Sequence, residues 1–221
     1  MKKESIDKLQ TIYTKLMQIE ETTLAEMITE VVRAETVIMK VGKFSFYDFV
    51  SKEACREVLQ GVYHDDGFKV ANDGYTLIAI REEYDKDFEG KILAKDGSFI
   101  ERCYPKWRSV IPQEEGEFYE IDESKFTEQL AKIRAEYKMQ YVKAKRWDSS
   151  WVVKIGGAYY SAEYFAKVLT AMKYIGITKV QLVGNDTKIL LHKSDDAILI
   201  LMPRCVTEDD ITKHLFKVIE L

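Results

Sequence analysis

The residues of this chain that could carry chemistry are few and scattered. Its three histidines, His64, His192 and His214, share no short segment. Its three cysteines, Cys55, Cys103 and Cys205, form no CxxC pair. His64-Asp65-Asp66 could hold a metal ion, since imidazoles and carboxylates are common ligands. Gly67 follows, so the polar tip of a hairpin explains the same residues at less expense. Asp195-Asp196 reads as a turn by the same argument. No phosphate-binding loop, dinucleotide fingerprint, HExxH or GxSxG occurs. The expectation is a non-enzymatic protein with no cofactor and no metal. An enzyme whose site is assembled from distant residues stands as a third option.

What the chain does concentrate is positive charge. Lys132, Arg134 and Lys138 share one side of an expected helix, and Lys143, Lys145 and Arg146 follow, with Trp147 and Trp151 close by. Basic side chains beside aromatics can hold a phosphate backbone. A solvated helix face explains the lysines equally well. The formal net charge of −4 counts mildly against a nucleic-acid reader, although a protein that segregates its charges can be acidic in total.

The elements that must position these residues are readable. At 221 residues with 46% apolar and 32% charged side chains, the chain can bury a sizeable core. Dispersed cysteines, no signal peptide and no long apolar run point to the cytoplasm and away from membranes. Residues 4–34 have helical periodicity, Thr36–Lys43 reads as a strand, and Phe46–Cys55 as a short helix. Arg56–Ile80 reads as three strands joined by His64-Asp65-Asp66-Gly67 and Asn72-Asp73-Gly74 turns. Gly90–Ala94 is a further strand. Two prolines, Pro105 and Pro112, hold an extended connector. Glu117–Ile121 is a strand, and Asp122 opens a helix to about residue 138. Trp151–Ile155 is a strand ending at Gly156-Gly157. Ser161 caps a helix that Gly176 ends. Strands follow at Lys179–Val183, Lys188–His192 and Ala197–Met202, and Thr207–Leu221 reads as a short amphipathic helix.

Four stretches, in order, resemble the bacterial sliding clamp, the β subunit of the replicative DNA polymerase. They are Arg56-Glu57-Val58-Leu59-Gln60-Gly61 with Ala71–Leu77; Tyr104–Pro112; Ser161–Lys173; and the last hydrophobic strand with Met202-Pro203. The resemblance implies an α+β, DNA-clamp-like fold, antiparallel sheets backed by helices, with an added N-terminal helical segment. It divides the chain into residues 1–34, a truncated clamp-like unit at 35–112, a clamp-like unit at 113–206 and a C-terminal helical tail at 207–221. The family closes a ring of six such units, which two units per chain reach as a trimer.

The implied function is non-enzymatic: binding DNA or replication partners without sequence specificity. The alternative is a monomeric interaction module, from a mobile element for instance, that keeps the fold without the ring. The implied DNA-binding residues are Arg56, Lys167 and Lys173, joined by the basic cluster above. The implied peptide groove uses Leu59, Asn72, Tyr75, Leu77, Pro105, Val110, Ile200, Met202 and Pro203. It would take a short segment of a polymerase or another replication protein ending in a Leu-Phe pair. This chain carries such a pair itself, Leu215-Phe216, which could cover its own groove or enter a neighbour's.

Overall fold

A computed structural model describes residues 44–140, 147–184 and 187–221. The expected N-terminal helices, the strand at 36–43, and Lys143, Lys145 and Arg146 lie outside the described residues. Lys43–Asp122 and Trp147–Leu221 form one compact unit, and Glu123–Arg146 belongs to another.

In the first unit, β1 (Val62–Asp65), β2 (Phe68–Asn72) and β3 (Thr76–Arg81) form the expected meander. The loop between β1 and β2 is Asp66-Gly67, with φ of 52° and 78°. Two successive left-handed residues make the turn whose twist suits a hairpin, which is why Asp-Gly signals one. Gly156-Gly157 does the same between β7 (Trp151–Ile155) and β8 (Ala158–Ser161).

The meander does not stand alone. β3 pairs antiparallel with β11 (Ala197–Leu201), from Ala197 opposite Ile80 to Leu201 opposite Thr76. With β4 (Ile92–Leu93), β5 (Phe99–Ile100), β6 (Glu117–Glu120), β9 (Lys179–Val183) and β10 (Ile189–Lys193), this gives one nine-stranded sheet in the order β5-β4-β1-β2-β3-β11-β10-β9-β6. The strands on either side of residue 113 therefore share a sheet.

The join between β3 and β11 is apolar on both faces. Leu77, Ala79, Ile198 and Ile200 form one face with Phe68, Val70 and Leu191, and Trp107 and Ile111 of the connector cover it. Alternation sends Ile78, Ile80, Leu199 and Leu201 to the other face. There helix α2 (Ala162–Ile175) packs on β11, β7 and β8, with Phe165, Val168, Leu169 and Met172 buried. Continuous apolar runs are what a strand covered on both faces requires. Ser161 stands at the N-cap of α2 but makes no capping bond through its side chain, whereas Gly176, at φ 75°, closes the C-terminus as expected.

The second unit contributes α1 (Glu123–Gln140), with Phe126 and Leu130 buried.

Three local expectations need correction. Phe46–Cys55 is not one helix: two 3-10 segments, Phe46–Asp48 and Ala54–Leu59, replace it and the start of the first expected strand. His64 is not at a polar tip. It lies in β1 at 3% exposure, packed against the rings of Tyr84 and Phe88. The tail is helical only over α3 (Glu208–Thr212). It then forms β12 (Lys217–Glu220), parallel to β7, with Ile219 fully buried. The edge of β7 offers hydrogen bonds that a helix could not use.

The position of His64 has a consequence for pH. Burial lowers its pKa below the ordinary imidazole value, and burial does the same to His192. The folded chain then favours neutral rings, while the unfolded chain takes up protons near pH 6.5, roughly. The unfolded state binds more protons in that window, so stability falls on acidification from about pH 6.5 and stops falling, on this account, below the lowered values. The urea midpoint should drop between neutral pH and mild acid. A His64→Gln/His192→Gln variant should show a smaller drop; an unchanged drop would assign the effect to other groups.

Candidate functional site

Chemistry-bearing side chains gather at the corner where β3 begins and β11 ends. The Asp73 turn sets it up. One carboxylate oxygen, Oδ1, accepts from the backbone N–H of Tyr75 and Thr76 and from the Thr76 hydroxyl, at 3.0, 2.8 and 2.9 Å. This fixes the direction in which Tyr75 leaves the sheet. Gly74 has φ 90°, and a Cβ there would collide with the Arg56 guanidinium. Glycine thus serves both the backbone and the approach of Arg56.

Arg56, from the second 3-10 segment, donates to the Asp73 carbonyl at 2.9 Å, pairs with Glu53 at 3.0 Å and lies over the Tyr75 ring. Tyr75 stacks on Tyr164 of α2 with centroids 5.3 Å apart. Lys167, one turn further along α2, lies over the Tyr164 ring and 3.6 Å from Asp73 Oδ2. Burial, with the carboxylates of Asp73 and Glu163, pushes the Tyr164 phenol up to about 12, so it stays a hydrogen-bond donor. Met202 N–H donates to the Tyr75 carbonyl at 2.9 Å. Tyr75 is 45% and Met202 40% exposed, a large apolar pair left open to solvent.

The connector is pinned separately. Trp107 Nε1 donates to Asp65 Oδ2 at 2.7 Å. Arg108 pairs with Asp65 and Asp66 and lies over the Trp107 ring at 4.3 Å. The hairpin-tip carboxylates thus hold the connector, which is a use other than metal ligation. Tyr104 stacks on Tyr63 at 4.6 Å.

The expected groove residues fall into four groups. Tyr75 and Met202 are adjacent and exposed. Leu77 and Ile200 are register partners, buried in the core beneath the connector. Pro105 and Val110 are exposed on the connector itself. Leu59 and Pro203 are half-buried, and Asn72 Oδ1 accepts from Gly74 N–H in the turn. Of the expected DNA-binding residues, Arg56 and Lys167 belong to the Tyr75 corner, where each has a carboxylate partner. Lys173 is exposed near the end of α2. On α1, Lys132 pairs with Glu128 at 2.7 Å, Lys138 is exposed and Arg134 is half-buried. Sequence reasoning missed Tyr164 and the anchoring role of Asp73. The signal for Asp73 was present, since an Asx residue before Gly commonly bonds to the backbone ahead of it.

No family model matches this chain, and no curated protein does. Solved structures do. A sliding clamp, the DNA polymerase III subunit beta, from Bartonella birtlesii, bound to griselimycin, matches with a TM-score of 0.52 at 12% identity over 79% of this chain and 64% of that one. The beta sliding clamp of C. crescentus gives 0.52 at 15% identity with the same coverages. The chain thus spans under two-thirds of the clamps it matches. Its fold is that of the bacterial sliding clamp: antiparallel sheets backed by few helices.

Proposed function

We propose that this chain is a non-enzymatic, clamp-like protein that seats a short apolar segment of a replication partner at the Tyr75 corner. The observation that carries this reading is the pairing of β3 with β11. It sets Tyr75 beside Met202 at the sheet's end, with the connector crossing the same join. An exposed aromatic next to an exposed methionine suits an apolar side chain, because methionine adapts its shape and tyrosine offers a rigid face. Arg56 and Tyr164 border the pair and supply donors for a peptide backbone.

The test is fluorescence anisotropy with a labelled peptide ending in Leu-Phe. Tyr75→Ala and Met202→Ala should each weaken binding about tenfold, as truncating a central apolar contact does. Equal affinity for wild type and both variants would remove the site.

The same reading assigns duplex DNA to Arg56 with Lys167 and Lys173 of α2, bound weakly and without sequence preference. Three phosphate contacts would lower affinity about fortyfold between 50 and 200 mM salt. Binding that survives that change, or that selects one sequence, contradicts the assignment.

A further inference from the structure

We propose that two copies of this chain exchange their C-terminal strands, β12 of each adding to β7 of the other. The tail consists of two separately anchored pieces. Helix α3 is closed on itself by the Thr207–Asp210 capping box and by the Lys213–Asp209 pair. Arg204, just before it, is tied to the Ser149 carbonyl and lies over the Phe216 ring. Strand β12 is held by its ladder to β7, with Lys217 N–H on Ser150 and Leu221 N–H on Lys154. Between these pieces lie Lys213 to Phe216, where His214 N–H donates to the Ile211 carbonyl and Leu215 N–H to the Asp210 carbonyl, closing the helix end. His214 has φ 55°, a left-handed conformation that a residue with a Cβ adopts unfavourably. Leu215, next to it, is 55% exposed.

Straightening this turn relieves the left-handed residue and gives up its two closing backbone bonds, from His214 N–H to the Ile211 carbonyl and from Leu215 N–H to the Asp210 carbonyl, to water. His214 returns to extended backbone, and Leu215 enters the new connection between two molecules. The β7–β12 ladder is kept in full, because the arriving strand has the same sequence. Short strained hinges favour such exchange, and reciprocal exchange gives a closed two-fold dimer that does not grow further. The cis and exchanged forms differ only in the hinge and in the entropy of association, so concentration decides between them.

Three measurements on the full chain test this. Light scattering should show a dimer fraction that rises with protein concentration. His214→Gly, which removes the left-handed penalty, should lower that fraction roughly fivefold at one concentration. Deleting His214 and Leu215 leaves too little chain to join α3 to β12 on the same molecule's β7, so that variant should be dimeric throughout the micromolar range. A cross-link gives a result that does not depend on the shortened variant folding. Lys154 and Glu220 are register partners across the ladder. With Cys55, Cys103 and Cys205 replaced by Ser, a Lys154→Cys chain is mixed with a Glu220→Cys chain and oxidised. Exchange yields a covalent dimer in the mixture and none in either chain alone. The double variant, closing within one chain when dilute, verifies the register. A mixture that stays uncrosslinked while the double variant closes overturns the proposal. So does a folded, shortened chain that remains monomeric.

Discussion

Truncation after Lys213, which removes β12 and leaves α3, is expected to lower stability by about 3 kcal/mol. The estimate rests on burial of Ile219, worth about 2 to 3 kcal/mol, and on a smaller part from half-buried Val218. The ladder to β7 adds bonds of about 1 kcal/mol net each. Ordering the last residues offsets much of that gain. The loss should appear as a fall of about 6 to 12 °C in Tm. Ile219→Ala alone should reproduce most of it, since the strand's hold on the core is largely that one side chain. A truncated chain as stable as the full one would mean that β12 is an ornament on the sheet. Peptide binding by the same truncated protein separates packing from competition. Phe216 lies under Arg204, and β12 lies on β7, so the Leu215-Phe216 pair has a place of its own. Affinity at the Tyr75 corner should therefore stay within about twofold of the full chain. Distinctly tighter binding would show that the tail competes for the corner.

The tail also shows where sequence reading reaches its limit. Ile211, Leu215, Val218 and Ile219 fit a helical stripe, and a strand of four residues is too short for alternation to contradict it. What decides between them is the open edge of β7, some sixty residues earlier in the chain. His64 failed for the same reason. Its neighbours in sequence, Asp65, Asp66 and Gly67, signal a turn, and they do form one, but the ring is buried by Tyr84 and Phe88 from a later loop. Local backbone chemistry, by contrast, was legible. Asp66-Gly67 and Gly156-Gly157 turn where expected because their left-handed φ values admit few other residues. The fold class was legible through its four ordered motifs. Two of them, the Asn72-Asp73-Gly74 turn with its strand and the Met202-Pro203 strand, meet at the β3–β11 join. The corner itself was half legible. Tyr75 and Met202 could be placed by resemblance. Lys167, on the polar side of a helix, gave no sign that its partner would be Asp73 in the other half of the chain.

Trp107→Ala should be the most damaging single substitution in the connector, lowering stability by about 4 kcal/mol. The indole is 3% exposed, lies against Phe68 with centroids 5.7 Å apart and belongs to the apolar cluster beneath which Leu77 and Ile200 meet. Removing it opens a cavity over the β3–β11 join. It also frees Asp65 from its N–H donor and takes the ring from under Arg108. Trp107→Phe separates these effects. It keeps an aromatic ring in the cluster and loses the hydrogen bond, for a cost of about 1 to 2 kcal/mol, because Asp65 still has Arg108. The ordering of the two variants by urea denaturation is the check, and equal midpoints for Trp107→Ala and wild type would show that the connector does not hold the join. A functional consequence follows from the same geometry. Pro105 and Val110 lie exposed on either side of Trp107 in the connector, and their placement depends on the indole's anchorage. Trp107→Ala, measured well below its melting temperature, should therefore weaken the Leu-Phe peptide as well as the fold, while Trp107→Phe should leave binding near the wild-type value. Weakening in both variants alike would instead assign the effect to the Asp65 hydrogen bond, and binding intact in both would confine the partner site to Tyr75 and Met202.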